Sequence, residues 1–355
     1  MFVKSQSTPF SLSVAMKHNR RYHSSTDVAR LAGVSQSAVS RAFSEGKSIS
    51  EETSRKVFEA AKKLGYSPNF IPRILLKHRS QLVAVVISGT GNPFYAMALE
   101  EFTKALQKAS YQVLLVQIDS DHSLDGVVPR LESYRVDAVV SALPVLSLGA
   151  AEAFARIRIP TISFNTPVNN NWVTSVCSDS LGGASAIADL FVQRGARSFA
   201  FITGSEGSYA SNERLRGYKS RLGKLGFPSV AIASGDYLYS GGFNAILELK
   251  DRGSIPDAIF CANDLMAIGA LDALRRAVGL RVPQDVLVAG FDNVPEASWG
   301  AYDLTTVIQD GPLMVAEAMK ILESMMRSSS STGGTRRVIP SKLIERSTTL
   351  KLTVG

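Results

Sequence analysis

Four polar side chains stand where apolar strand patterns run out. Asn165 ends Thr161–Phe164, Asn263 follows Ile259–Cys261, Asp292 ends the strand that includes Val286–Ala289, and Arg214 opens a helix after a Ser/Gly loop. A carboxylate, two amides and a guanidinium supply both donors and acceptors, which the hydroxyls of a polyhydroxylated small molecule require. An anionic ligand would instead engage Arg214 through paired hydrogen bonds. Each residue also has a purely structural reading. Asn263-Asp264 is a good helix N-cap, Asp292-Asn293 can make a turn, and Arg214 can form a surface ion pair. The residues alone leave these alternatives open.

A second set lies near the start of the chain: Gln36, Ser37 and Ala38, with Ser40 and Arg41 further along. Glutamine can pair with adenine, arginine with guanine, and the alanine methyl can touch the methyl of thymine. That chemistry needs a helix whose first turns are exposed. The alternative is an ordinary three-helix bundle with a polar surface.

Enzymatic motifs are broken or missing. Gly89-Thr90-Gly91 follows a strand, but Phe94 stands where a dinucleotide-binding fingerprint needs its third glycine. There is no phosphate-binding loop and no Gly-x-Ser-x-Gly elbow. The histidines His18, His23, His78 and His122 all lie early and lack metal-ligand spacing. Cys177 and Cys261 sit in apolar runs and read as buried small hydrophobes of a reducing cytoplasm. The chain is therefore not read as an enzyme, and no catalytic residue, metal site or cofactor is expected.

The elements that must position these residues follow from charge and periodicity. Residues 1–80 hold 14 Lys and Arg against 5 Asp and Glu, whereas the rest of the chain holds 25 against 26. A basic module on a neutral body points to a polyanion-binding head. Residues 1–24 read as a flexible basic leader and a poor signal peptide, with Met16 a possible internal start. Order is expected from Ser25–Thr26, with a first helix ended by Gly33 and a second, Gln36–Phe43, capped by Ser35. A third starts at Ser50-Glu51-Glu52 and ends at Gly65. Val28, Leu31, Val34, Val39 and Phe43 are the expected core between the first two. Two short helices joined by a glycine turn and braced by a third describe a helix-turn-helix. Residues 66–79, basic and holding Pro68 and Pro72, read as a linker.

From Gln81 strands and helices alternate. Leu82–Ile87 is a continuous apolar run, as a buried parallel strand requires. Strands near Val113–Ile118, Ala138–Val140, Thr161–Phe164, Phe199–Ile202, Ile259–Cys261 and Val286–Ala289 interleave with helical patterns. Such repetition implies parallel sheets covered by helices. No run approaches the roughly 20 apolar residues of a membrane helix.

The run Thr26-Asp27-Val28-Ala29-Arg30-Leu31-Ala32-Gly33-Val34-Ser35, followed by Val39-Ser40-Arg41 and later by Leu64-Gly65-Tyr66-Ser67-Pro68-Asn69, resembles the head of the lac/purine repressor (LacI-type) family. Asn92-Pro93-Phe94-Tyr95, Ala262-Asn263-Asp264, Gly290-Phe291-Asp292-Asn293, Leu304-Thr305-Thr306-Val307 and Glu345-Arg346-Ser347-Thr348 resemble its effector domain. The resemblance implies a small all-α helix-turn-helix head at 25–65 and a hinge at 66–79. It implies an α/β two-lobed domain at 80–355, like a periplasmic binding protein, with parallel sheets and three crossovers. These are expected near Cys177, near Ile308 and in Ser328–Gly334. It places Thr26, Gln36, Ser37, Ala38, Ser40, Arg41, Asn69, Arg73 and Leu75 against DNA, with Leu75 as a wedge in the minor groove. Pro72 departs from the usual alanine of this hinge, and proline is disfavoured beyond a helix's first turn. Arg214 within Arg214-Leu215-Arg216-Gly217-Tyr218, with Asn165, Asn263 and Asp292, would meet a ligand between aromatic walls at Phe94, Tyr95 and Tyr237. Trp299 either joins them or packs at the lobe interface.

The implied function is a cytoplasmic, ligand-responsive transcription regulator, a repressor. It would bind a pseudopalindromic operator in double-stranded DNA as a homodimer and answer to a small, sugar-like effector, with no membrane involvement. The rival from another class is a solute-binding protein or sugar-converting enzyme with a vestigial head.

Overall fold

The computed structural model describes residues 23–43, 48–67, 80–88, 91–118, 127–143, 148–168, 170–253, 255–327 and 334–350. The chain divides into two compact units between Lys77 and His78.

The first unit contains α1 (Ser25–Ala32), α2 (Gln36–Ala42) and α3 (Glu51–Leu64). Order starts earlier than expected, because Ser24 is the N-cap of α1. Its hydroxyl accepts from the Asp27 amide, and the Asp27 carboxylate accepts from the Ser24 amide and hydroxyl. That capping box satisfies backbone donors the helix cannot. Gly33 and Gly65 close α1 and α3 at φ 65° and 60°, in the left-handed region that favours glycine. Val28, Ala29, Val39, Val57, Ala60 and Ala61 form the core. Leu31, expected there, is 52% exposed instead. At 100° per residue it falls outside the arc that Val28, Ala29 and Ala32 turn inward. Tyr66 packs against this core, its ring edge-on to Phe43 at 5.8 Å.

The second unit has two lobes. The first is a six-stranded parallel sheet in the order β11–β5–β4–β3–β1–β2. Its strands are β1 (Leu82–Ile87), β2 (Gln112–Gln117), β3 (Ala138–Ala142), β4 (Thr161–Phe164), β5 (Val173–Ser178) and β11 (Arg336–Ile339). Side chains alternate across a strand. Val83, Val85 and Ile87 of β1 therefore pack with Phe94, Phe102 and Leu106 of α4 (Pro93–Lys108). Ala84 and Val86 face α5 (Val128–Ser133) and α6 (Leu148–Arg156) through Leu131 and Phe154.

In the second lobe the parallel order is β7–β6–β8–β9, from β6 (Phe199–Ile202), β7 (Ala231–Ala233), β8 (Ala258–Cys261) and β9 (Leu287–Ala289). Its helices are α7 (Ser180–Gln193), α8 (Tyr209–Lys224), α9 (Tyr239–Asp251) and α10 (Asp264–Asp272), the last continued by a π-helical turn, Ala273–Val278. A Cβ on Gly217 would lie 2.4 Å from the carbonyl oxygen of Leu181. Only glycine lets α8 lie this close to α7, and Arg214 sits one turn before it.

The chain passes between lobes three times. Ser178 leaves β5 and α7 begins in the second lobe. Strand β10 (Thr306–Gln309) leads into α11 (Gly311–Arg327), which packs on α4 and β5. The third crossing corrects the sequence expectation. Both α11 and β11 belong to the first lobe, so the return comes at Pro340, where β11 gives way to β12 (Ser341–Ile344), the antiparallel partner of β10. A Ser/Gly-rich composition marks a connection, not which lobes it connects.

Candidate functional site

In the head, helical geometry sorts the sequence-expected residues. Positions 36, 37, 40 and 41 fall on one arc of α2, while 38, 39 and 42 fall on the other. Gln36, Ser37, Ser40 and Arg41 are exposed, as is Thr26 on α1. The Gln36 amide donates to Ser25 Oγ at 2.9 Å, and Ser37 Oγ meets the capping Ser35 Oγ at 2.9 Å. Ala38 corrects the expectation: it is 7% exposed, with its amide held by the Ser35 cap. It faces the bundle, and its methyl is not part of the exposed surface. Asn69, Pro72, Arg73 and Leu75 lie outside the described residues.

In the second unit, residues distant in sequence converge between the lobes. Arg214, the sixth residue of α8, is 2% exposed. Its guanidinium lies over Phe291, with the central carbon 3.7 Å from the ring centre. One terminal nitrogen donates to the Ala262 carbonyl, and another stands 3.5 Å from Asp292 Oδ1. Among the described residues, Arg214 Nε is buried without a partner. A buried, unpartnered donor costs about 1–3 kcal/mol unless something arrives to accept from it.

Asp292 follows β9 and joins the lobes. Gln309, at the end of crossing strand β10, donates its side-chain amide to Asp292 Oδ1 at 2.5 Å. The Gln309 carbonyl accepts from Asn165 Nδ2 at 2.7 Å, and Asn165 Oδ1 accepts from the Ser178 amide at 3.0 Å. Asn92, the N-cap of α4, also lies close to Asp292 from the first lobe. Burial pushes the Asp292 carboxyl up to about 7; Arg214 pulls it down, and nearby Asp264 pushes it further up. Asp264 is itself pushed up to about 6 by burial, against hydrogen bonds from Thr306 and the backbone of Val294.

Three of these side chains ride on unusual backbone. Asn165, Tyr237 and Asp292 have φ of 62°, 69° and 123°. Positive φ on a non-glycine residue costs about 1–3 kcal/mol and clusters where function needs a particular side-chain direction. Tyr237 is 9% exposed, with its hydroxyl 2.6 Å from Ser208 Oγ and its ring against Gly204. Tyr95 stands near Tyr237 and Asp292; burial first, then these neighbours, drives its hydroxyl's ionisation well above the ordinary phenol range.

Other expected residues serve the scaffold. Asn263 caps α10, accepting from the Met266 amide at 3.0 Å and donating to the Tyr237 carbonyl at 3.0 Å. Phe94 is 5% exposed, stacked on Phe164 at 6.1 Å and edge-on to Tyr95 at 5.4 Å, so it backs Tyr95 from the core. Trp299 is 54% exposed, not packed at a lobe interface. Gln309, Asn92 and Phe291 belong to the cluster and were not singled out from sequence. Among the described residues no His/Cys/Asp/Glu group could hold a metal, and no helix is long and apolar enough to cross a membrane.

Comparisons agree with both units. Residues 26–69 match the family model described as bacterial regulatory proteins, lacI family, and residues 188–349 match that of the periplasmic binding protein-like domain. The chain is 31% identical over 288 residues to a probable HTH-type transcriptional repressor, ExuR, of Bacillus subtilis (strain 168), covering 79% of this chain and 85% of the relative. It is 32% identical over 332 residues to the HTH-type transcriptional regulator CelR of Thermobifida fusca, covering 90% and 96%. A crystal structure of the lac repressor dimer bound to operator and the anti-inducer ONPF superposes with a TM-score of 0.85 at 25% identity, covering 93% of this chain and all of that one. The head and the two-lobed domain thus place this chain in the lacI family of bacterial regulatory proteins, which are transcriptional regulators and not enzymes.

Proposed function

We propose that the chain is a cytoplasmic repressor that binds a pseudopalindromic operator as a homodimer and is controlled by a small, neutral, sugar-like effector. The observation that carries this reading is the Arg214–Asp292–Gln309–Asn165 chain, which links the lobes and keeps one buried donor, Arg214 Nε, unpartnered. Effector hydroxyls would accept from Arg214 and donate to Asp292. Asn165 would approach from the first lobe, and Tyr95 and Tyr237 would offer ring faces to the sugar's apolar side. Arg214 is already opposite Asp292, so an anionic effector would have to displace a buried carboxylate. A neutral polyol faces no such cost. One similar solved structure is a transcriptional regulator CelR–cellobiose complex, and another relative is the ribose operon repressor of Escherichia coli.

On DNA, Gln36 and Ser37 would read base edges from the N-terminal turn of α2, while Thr26, Ser40 and Arg41 hold phosphates or further bases. Asn69, Arg73 and Leu75 of the hinge take the roles that the family resemblance assigns. The proposed division is a leader at 1–24, a head at 25–65, a hinge at 66–79 and an effector and dimerisation domain at 80–355. Binding of the effector would shift the balance of DNA-competent and incompetent states by its differential affinity for them.

The test is selection of bound fragments from genomic DNA, repeated with a panel of neutral sugars and sugar acids. A palindrome that a neutral sugar releases or tightens supports the proposal. Binding that is steeply salt-dependent and free of any motif would show phosphate contact alone and overturn it.

A further inference from the structure

The lobes also meet outside the Asp292 cluster. Arg336 begins β11 in the first lobe, shortly before the crossing at Pro340. Its guanidinium carbon lies 5.1 Å from the ring centre of Tyr209, the first residue of α8 in the second lobe. That is within the roughly 6 Å reach of a cation–π contact. The same guanidinium lies close to the thiol of Cys177 on β5, the strand paired with β11. Burial pushes that thiol up to about 11, so it stays neutral. Glu213, one turn along α8 and 9% exposed, lies close to the Tyr209 hydroxyl. Two strands of one lobe and the first turn of a helix in the other therefore converge on one cation.

This cluster is separate from the ligand-facing one. Arg214 turns to Phe291 and Asp292, whereas Glu213 turns to Tyr209 and to Arg216 at 2.7 Å. We propose that Arg336 and Tyr209 form a reversible latch that holds the lobes at this spacing without an effector. Rotation about the crossings carries the start of α8 away from β11 and takes the ring off the guanidinium. Arg336 is exposed, so the parted cation returns to water at small cost and the latch reopens readily. A contact of this kind at an exposed site shifts a two-state balance by about two- to fivefold. The resting lobe equilibrium is then set by residues that touch neither effector nor DNA.

The experiment uses the full-length protein with neither effector nor DNA. Spin labels go on cysteines replacing the exposed Glu152 of α6 and Lys219 of α8; the native Cys177 and Cys261 are 2% and 0% exposed and do not compete. In the distance distribution, Arg336→Gln and Tyr209→Leu each move the balance about two- to fivefold toward wider separations. Tyr209→Phe, which keeps the ring, retains the native distribution, and the double variant Arg336→Gln/Tyr209→Leu opens no further than either single one. An unchanged distribution in Arg336→Gln, additive opening in the double variant, or Tyr209→Phe opening as far as Tyr209→Leu would overturn the latch. None of these results bears on the regulator reading, because neither ligand is present.

Discussion

The side-chain amide of Gln309 donates to Asp292 at 2.5 Å, and that bond ties a crossing strand to the end of β9. Gln309 is 4% exposed and Asp292 5%, so water does not readily replace the bond. Gln309→Leu should leave Asp292 short of a donor and Asn165 Nδ2 without its acceptor. Each orphan costs about 1–3 kcal/mol, and urea unfolding of the variant should show a loss in that range or up to its double. A loss under about 0.5 kcal/mol would mean the two amides re-pair locally.

Arg214 separates charge from shape. Arg214→Lys keeps the cation opposite Asp292 but loses the guanidinium over Phe291 and the fork that reaches Ala262 and Asp292 together. The variant should fold, yet bind the effector found in the sugar panel at least about tenfold more weakly by calorimetry. Native affinity in Arg214→Lys would remove Arg214 from the ligand contacts.

Asp264 and Asp292 make an unusual pH signature. Their carboxyls are raised to about 6 and about 7 in the folded state, above the ordinary value of 3.8. Between that value and the raised ones the folded state binds more protons than the unfolded chain. Their contribution to stability is therefore fullest below about pH 4 and falls as pH rises toward 7. Asp292→Asn should flatten the fall between about pH 4 and pH 7 in effector-free protein, read from denaturation midpoints across that window. An unchanged slope in this variant would mean Asp292 stays ionised throughout.

Gly217 is a packing requirement behind the site. Gly217→Ala forces a methyl to within 2.4 Å of the Leu181 carbonyl oxygen, so α8 must shift. Overpacking of this kind costs about 1–3 kcal/mol, and the shift displaces Arg214 as well. Stability and effector affinity should fall together; a loss of stability with native affinity would show that α8 yields away from Arg214.

The head should show two distinct behaviours. Gln36→Ala should cost about 1–3 kcal/mol on the selected operator and relax preference at one base position. Ala38→Leu should chiefly lower the head's melting temperature, because Ala38 is 7% exposed and its larger replacement must push α2 outward. A changed base preference with unchanged stability in Ala38→Leu would return that position to the reading surface.

Much of this was legible in the sequence, for identifiable reasons. Glycine at a positive φ and a hydroxyl before a helix are local signals, and Gly33, Gly65, Ser35 and Ser50 all act as read. The six-residue apolar run at Leu82–Ile87 is the observed β1. Strand β5 is harder to read, because Thr174, Ser175 and Ser178 interrupt its apolar run while being buried. Ser175 shows how: its hydroxyl accepts from the Val168 amide at 2.8 Å, a partner set by the folded chain. Gln309 is missed for a like reason. Its meaning comes from Asn165, 144 residues away, and Asp292, 17 away, and no periodicity encodes that meeting. Asn263 shows the other difficulty: it caps α10 in the structure, and one residue type serves equally as a ligand contact and a cap.

The crossing at Pro340 bears on how the molecule is made. Strand β11 completes the edge of a sheet whose first strand begins at Leu82, and β12 then pairs with β10. Neither lobe is an uninterrupted stretch of chain, so neither can finish as a unit while synthesis proceeds. Until residue 339 has left the ribosome, the growing polypeptide holds only five strands of the six-stranded sheet, with β5 left as an open border. An exposed strand border is a template for pairing with other chains. A premature stop codon just before β11 should therefore yield aggregated protein in the cell, not a shortened regulator.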